Sequence, residues 1–172
     1  MKSPGRARRI PRLCATAALL LPAVAGCGIR PTGVIDAGEP IPGLTKGMRI
    51  YFASDTGLRG VSRPGVQLNH LDSALKLLLA GPNESEQKSG LANLVVFNGP
   101  FHASANGNRV TLDAPETYLS ADDRLRNGQL VCSLARARAV LHPTLRPDDI
   151  QVTLRPKDEP LGPYKCSYFL DS

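Results

Sequence analysis

The sequence lacks the short motifs that mark several common enzyme classes. It has no Gly-x-Ser-x-Gly elbow, no Cys-x-x-Cys pair and no glycine-rich loop ending in Gly-Lys-Ser/Thr. A hydrolase of the elbow type, a thioredoxin-like redox protein and a P-loop nucleotide-binding protein therefore have no support. The three histidines, His70, His102 and His142, are far apart, and none has metal-ligand spacing to a cysteine or carboxylate. We predict no catalytic residue, no metal site and no cofactor, and read Ser54 and Asp55 as loop residues.

Acidic residues are absent before Asp36, and this absence explains why the chain is basic. The 172 residues carry a formal net charge of +6, but five of the 21 basic residues lie within the first twelve positions. From Cys27 onward, 16 basic residues face 15 acidic ones, a net charge of +1. The basic surplus belongs to the N-terminus, so the charge gives no argument for a nucleic-acid partner.

Long hydrophobic runs are also missing. The longest, residues 13–24, spans about 18 Å as a helix, well short of the ~30 Å hydrocarbon core of a bilayer. Residues 1–26 instead have the three zones of a secretory signal peptide, namely an Arg-rich start, this apolar run and small residues before Cys27. Its end, Val24-Ala25-Gly26-Cys27, resembles a bacterial lipobox, which predicts that Cys27 is acylated. The alternative is an ordinary signal peptide with an accidental cysteine, and the export route, Sec or twin-arginine, stays open.

Residues 27–47 have few large apolar side chains and many prolines and glycines. Such a segment does not form a core, so we predict a flexible tether that follows the acylated N-terminus. Acyl chains on Cys27 would hold the protein on the extracytoplasmic face of the cell membrane.

Only four cysteines occur, and two of them, Cys14 and Cys27, belong to the leader and its cleavage point. Cys132 and Cys166 remain as an even pair in an exported chain, which predicts a disulfide. Closing this loop of 34 residues stabilises a domain by roughly 3 to 4 kcal/mol in the chain-entropy model. Two buried free thiols are the alternative.

Residues 48–172 are predicted to form the folded body of the protein. Residues 48–53 are rich in strand formers, residues 57–65 read as a glycine-containing loop, and leucines recur at helical spacing over residues 68–79. Gly81-Pro82 would end that helix, and residues 83–90 predict an exposed loop or a short helical turn.

The second half of the body predicts a hairpin, a long helix and further strands. Residues 101–105 and 109–113 flank Asn106-Gly107, a strong hairpin signal. Ser120 and Asp123 predict a capping box that opens a helix ending near His142-Pro143. Residues 149–154 alternate as a strand, and residues 164–169 suggest another. We expect an α+β fold in which two helices cover one face of a small mixed sheet.

Charged clusters in this half have simple interpretations. A solvated face of the second helix is predicted from its arginines, Arg124, Arg126, Arg136 and Arg138. This face is also the best candidate for docking onto anionic lipid or a protein. The acidic pairs Asp122-Asp123 and Asp148-Asp149 precede predicted elements, where acids favour helix starts and turns over a cation site.

The order of these segments resembles a known family. Ile50-Tyr51-Phe52, the helix ending Leu77-Leu78-Leu79-Ala80-Gly81-Pro82, the strand Val110-Thr111-Leu112-Asp113 and the string Asn127-Gly128-Gln129-Leu130-Val131 look like the GerM-type (GerMN) domain. The start Cys27-Gly28-Ile29-Arg30-Pro31-Thr32 is similar to small actinobacterial lipoproteins that carry such a domain. The resemblance implies a compact fold similar to the ring-building motif, used as a non-catalytic assembly or interaction module at bacterial envelopes and in sporulation or germination.

These observations predict a lipoprotein that binds another envelope protein, whose identity no residue indicates. Accessory roles in envelope sensing, sporulation or cell-wall processes fit such a module. The rival is an exported hydrolase or glycan-acting enzyme. A solute-capturing lipoprotein is disfavoured, because 125 residues do not supply the two lobes that close around a solute.

Overall fold

The computed structural model describes residues 47–170. Two strands come first, β1 (Arg49–Ser54) and β2 (Gly57–Ser62), followed by helices α1 (Leu71–Leu79) and α2 (Glu84–Lys88). Strands β3 (His102–Asn106) and β4 (Arg109–Asp113) precede the long helix α3 (Arg124–Leu141). After a 3-10 turn (Pro147–Asp149) come β5 (Gln151–Arg155), β6 (Leu161–Tyr164) and the short helix α4 (Ser167–Leu170). The predicted α+β class is confirmed.

Strands β3, β4, β5 and β6 form a mixed sheet in that order. The central pair, β4 and β5, is parallel, and the two outer pairs are antiparallel. Parallel neighbours need a crossover connection, and α3 provides it. Alternate residues of the central strands are buried, namely Val110, Leu112, Val152 and Leu154. Both α1 and α3 contact this sheet, and they also contact each other.

The predictions of a single sheet and of a loop over residues 57–65 are wrong, because β1 and β2 form a second sheet. The strands pair antiparallel from Arg49 with Ser62 to Ser54 with Gly57. Gly57 has a φ of 122°, which the tight turn requires, and a Cβ on Gly60 would lie 3.0 Å from the ring of Tyr51. Here the glycines serve strand pairing and close packing.

Helix α1 is present as predicted, except that it begins at Leu71, so Leu68 of the predicted pattern precedes it. Leu71, Leu75 and Leu78 are buried, and Gly81, with a φ of 79°, stands just past the helix end. The predicted hairpin is also present, although Asn106 pairs with Arg109 and the two-residue turn is therefore Gly107-Asn108. Gly107 has the positive φ, 59°, that such turns use.

Helix α3 is the centre of the body, because it contacts both sheets and α1. Every residue from Asn127 to Ala135 is buried, including the polar Asn127, Gln129 and Ser133. The predicted start near Ser120 is wrong, since the helix begins at Arg124. The Asp122 backbone N–H donates to the Ser120 hydroxyl (3.2 Å), which forms a turn before the helix in place of a capping box.

A disulfide joins Cys132 to Cys166, as predicted, with an S–S distance of 2.00 Å. The predicted strand over residues 164–169 is only partly correct, since β6 ends at Tyr164 and α4 begins at Ser167. Cys166 lies in the turn between them and links α4 to the middle of α3. The rings of Tyr164, Tyr168 and Phe169 pack against one another beside this link.

Candidate functional site

The predicted lipidation site, Cys27, lies outside the described residues, as do the other lipobox residues, Val24, Ala25 and Gly26. Cys132 and Cys166 are buried and disulfide-bonded, so they stabilise the body. Among residues 47–170, no helix is long and apolar enough to cross a membrane.

The four arginines of α3 do not form one solvated face, which corrects that interpretation. They divide between the two ends of the helix, and each donates a hydrogen bond to a backbone carbonyl. At the N-terminal end, Arg124 reaches Tyr168 O (2.8 Å) and Arg126 reaches Val96 O (3.1 Å). At the C-terminal end, Arg136 reaches Gly47 O (2.9 Å) and Arg138 reaches Gly107 O (2.8 and 3.0 Å). Desolvation lowers the pKa of Arg136, which is partly buried.

Two buried polar side chains of α3 hold the open edge of β1. The Ser133 hydroxyl accepts from the Tyr51 backbone N–H (3.0 Å), and the Gln129 amide donates to Tyr51 O (3.3 Å) and Ala92 O (3.1 Å). The Gln129 carbonyl accepts from the Leu94 backbone N–H (2.8 Å). Gln129 thereby fixes the segment that starts at Ala92 against the N-terminal half of α3, and this segment carries the exposed side chains of Leu94 and Val96.

An apolar patch lies at the N-terminal end of α3. Leu94, Val96 and Leu125 are 42%, 61% and 36% exposed, and we call these three residues the apolar patch. Leu94 and Leu125 line one groove, and Val96 follows two residues after Leu94 in a segment that Arg126 of α3 holds through the Val96 carbonyl. Together with Tyr168, which Arg124 covers at 4.6 Å from its ring centre, they are four of the six large apolar side chains exposed on residues 47–170.

Balanced charges border this patch. The groove has a volume of about 420 Å³ and is lined by Leu94 and by residues 122–126. The acids Asp122 and Asp123 face Arg124 and Arg126, and one ion pair, Arg126 to Asp123, closes to 3.7 Å. The groove therefore combines two apolar side chains with charged residues of both signs, a mixture that protein-binding surfaces commonly contain.

Sequence reasoning missed the apolar patch, although a signal was present. Residues 94–97 read as one apolar run, and the structure shows alternation, since Val95 is buried while Leu94 and Val96 point outward. An apolar run beside a buried helix does not reveal which of its side chains remain exposed.

One Asp–His pair was also missed. Asp72, in the first turn of α1, lies 3.0 Å from His102 Nδ1, and its other oxygen accepts from the Ala103 backbone N–H (2.7 Å). The pair joins α1 to β3. Within the described part of the chain, no serine or cysteine hydrogen-bonds to His102, and neither member of the pair lines one of the grooves found.

The remaining candidates occupy local structural positions. His70 and His142 flank α1 and α3, Ser54 and Asp55 lie at the β1–β2 turn, and Asp148 and Asp149 lie in the 3-10 turn. Over residues 47–170, no group of three or more His, Cys, Asp or Glu side chains could hold a metal ion.

Among the ion pairs of residues 47–170, the one with the least exposed side chains joins Arg63 to Glu86. Arg63 donates two hydrogen bonds, 2.6 and 2.8 Å, to the carboxylate of Glu86, and both side chains are less than one-fifth exposed. The hydrogen bond from Arg63 lowers the pKa of Glu86. Glu86 also closes a capping box with Asn83 at the start of α2, so this pair fastens α2 to the end of β2.

The apolar patch is thus the best candidate site in the described body. Comparisons with protein-family models, with curated proteins and with solved structures find no match for this chain.

Proposed function

We propose that this protein is a lipoprotein, anchored through Cys27 on the extracytoplasmic face of the cell membrane, that binds another envelope protein without catalysing a reaction. The observation that carries the binding role is the apolar patch of Leu94, Val96 and Leu125 at the end of α3. Neighbouring apolar side chains that stay exposed on a folded domain mark an interaction site.

The surroundings of the patch suit a protein partner. Tyrosine and arginine are enriched among residues that dominate binding energy, and Tyr168, Arg124 and Arg126 adjoin the patch. Arg124 and Arg126 are held by backbone carbonyls, so little side-chain entropy is lost when a partner covers them. The two acids of the rim disfavour an anionic lipid surface at this end.

The leader and the disulfide support the extracytoplasmic location. The first 26 residues have the three zones of a signal peptide, and Cys27 follows them directly. Disulfides persist in oxidising compartments, and the body contains one between Cys132 and Cys166.

We also propose that residues 48–172 are a GerMN-type domain. The proposal rests on the sequence resemblance, whose motifs fall on α1, β4 and α3 and on the strand that opens the body. Such a domain implies an assembly or interaction role, in envelope sensing, sporulation or cell-wall processes.

An exported hydrolase or glycan-acting enzyme is the rival, and the Asp72–His102 pair is the observation in its favour. His102 is 69% exposed on the open surface, and one Asp72 oxygen is already used to hold the β3 backbone. We therefore favour binding over catalysis.

The test is site-specific photo-cross-linking in intact cells. A photoreactive amino acid at Val96, in the apolar patch, is expected to give one discrete cross-linked product, which Leu125→Asp abolishes. The same amino acid at Ser104, exposed on the outer strand β3, is the matched control and should give none. Equal products from both positions, or a Val96 product that survives Leu125→Asp, would argue against binding through this surface.

A further inference from the structure

A second groove lies at the opposite end of α3 from the apolar patch. The apolar side chains of Ala139, Val140, Pro143 and Leu145 line it together with Arg136 and Arg146, and its volume is about 210 Å³. It lies between the last turns of α3 and the loop that follows. Its lining contains two cations and no acid.

The chain enters the described body beside this groove. Arg136, which lines the groove, donates a hydrogen bond to the carbonyl of Gly47 (2.9 Å). The next residue, Met48, is buried, and its carbonyl accepts from the Arg63 backbone N–H (2.9 Å). The hydrogen bond to Gly47 and the burial of Met48 therefore fix the place where the chain enters the body.

The direction of β1 determines where the preceding residues go. Gly47 lies beside Arg136, and Tyr51 lies beside Ser133, so β1 and α3 run in opposite directions. Extending the chain backward from Gly47 leads toward the last turns of α3, where Ala139 and Val140 line the groove.

The residues before Gly47 fit the groove in chemistry and are long enough to reach it. Residues 39–44 read Glu-Pro-Ile-Pro-Gly-Leu, with two large apolar side chains, one acid and no base. At about 3.3 Å per extended residue, Leu44 reaches ~10 Å and Ile41 ~20 Å from Gly47. Ala139, the next residue of α3 that lines the groove, lies about one helical turn, ~5 Å, beyond Arg136. Pro40 and Pro42 favour an extended conformation and reduce the entropy lost on docking.

We propose that this groove binds residues 39–44 of the same chain. Ile41 and Leu44 occupy the apolar space beside Val140 and Leu145, and Glu39 pairs with Arg146. A second copy of the chain or a foreign apolar ligand would fit the volume, but neither is fixed beside the groove by a covalent connection.

The inference concerns residues 38–172 and does not depend on the proposed function.

Amide hydrogen exchange measured by mass spectrometry tests the docking. The sample is the full chain, purified in mild detergent. In Ile41→Ser/Leu44→Ser, exchange of the peptide covering residues 139–147 is expected to rise on the order of tenfold. The matched control is Val34→Ser/Ile35→Ser, which removes one methylene fewer of apolar surface nearer the N-terminus and should leave that peptide unchanged. Equal exchange in wild type and Ile41→Ser/Leu44→Ser, or the same rise in both variants, would overturn the proposal.

A charge swap gives an independent readout. Arg146 is exposed, so Arg146→Glu should leave the fold intact. The substitution is nevertheless expected to speed amide hydrogen exchange in residues 38–46. Adding Glu39→Arg should restore the slow exchange. Absence of that rescue would refute the Glu39–Arg146 pair. If the protection of residues 139–147 against exchange falls when the protein is diluted, the groove is occupied by a second copy of the chain.

Discussion

Gly128 lies where α3 packs against Leu58 of β2 and Phe169 of α4. A Cβ at this position would lie 2.5 Å from Leu58 Cδ1 and 3.0 Å from Cβ and Cγ of Phe169. The glycine is therefore required for close packing, although it weakens the helix by roughly 1 kcal/mol relative to alanine.

Gly128→Ala should consequently destabilise the protein even though alanine is the better helix former. Overpacking a tight contact costs about 1–3 kcal/mol, which outweighs the gain in helix propensity. We expect the free energy of unfolding in urea to fall by about 1 kcal/mol. Ser85→Ala, on the exposed helix α2, is the control and should change it by less than ~0.5 kcal/mol. An increase in stability for Gly128→Ala would show that Leu58 and Phe169 move aside freely.

Single residues differ in how far the sequence predicts their roles. The buried leucines of α1 follow from their spacing, because one helix face must pack against the core. Gln129 does not follow from any local pattern, since its partners, Tyr51 and Ala92, are far away in the sequence. The same reason hides the four arginines of α3, whose carbonyl partners lie in other segments.

At the scale of elements, Arg63 and Glu86 connect α2 to the end of β2. The hydrogen bond from Arg63 lowers the pKa of Glu86, while in the unfolded chain that pKa returns to the ordinary value of a glutamate. The folded value is the lower one. The stabilisation is therefore fully present above the unfolded pKa and is lost as the pH falls through the folded pKa.

Glu86→Gln should lower the free energy of unfolding at pH 7, and this difference from wild type should shrink between about pH 5 and pH 3. Urea unfolding at a series of pH values measures it. Glu84→Gln is the matched control, because Glu84 pairs with Lys88 on the exposed surface of the same helix and should matter little at any pH. A difference that is constant from pH 7 to pH 3 would contradict the role of the ionised pair.

Elements with strong local signals are predicted better than those formed by distant contacts. Helix α1, the β3–β4 hairpin and the end of α3 at His142 agree with the sequence. Strand β2 was missed because its two glycines are typical of loops, and their use in pairing depends on β1. The start of α3 was misplaced because Ser120 and Asp123 have the spacing of a capping box but form a turn.

At the scale of the whole molecule, α3 connects two different surfaces. Its N-terminal end carries the apolar patch, and its C-terminal end carries the groove beside Gly47. The sequence predicts the helix, the disulfide and an interaction role, but not these surfaces. Exposure depends on which neighbours cover a side chain, and those neighbours come from segments as distant as residues 94–96 and 124–126.

Membrane attachment is the prediction on which the location of both surfaces depends. Each buried CH₂ of an acyl chain contributes about 0.8 kcal/mol, so two or more chains on Cys27 would retain the protein at the bilayer. Cells grown with a labelled fatty acid should yield labelled wild-type protein, and Cys27→Ser should remove the label. Cys14→Ser is the matched control, because that cysteine lies inside the predicted leader, and its label should equal that of wild type. Label that persists in Cys27→Ser, or that is missing from the wild-type chain, would show that the body is held, if at all, by something other than an acylated Cys27.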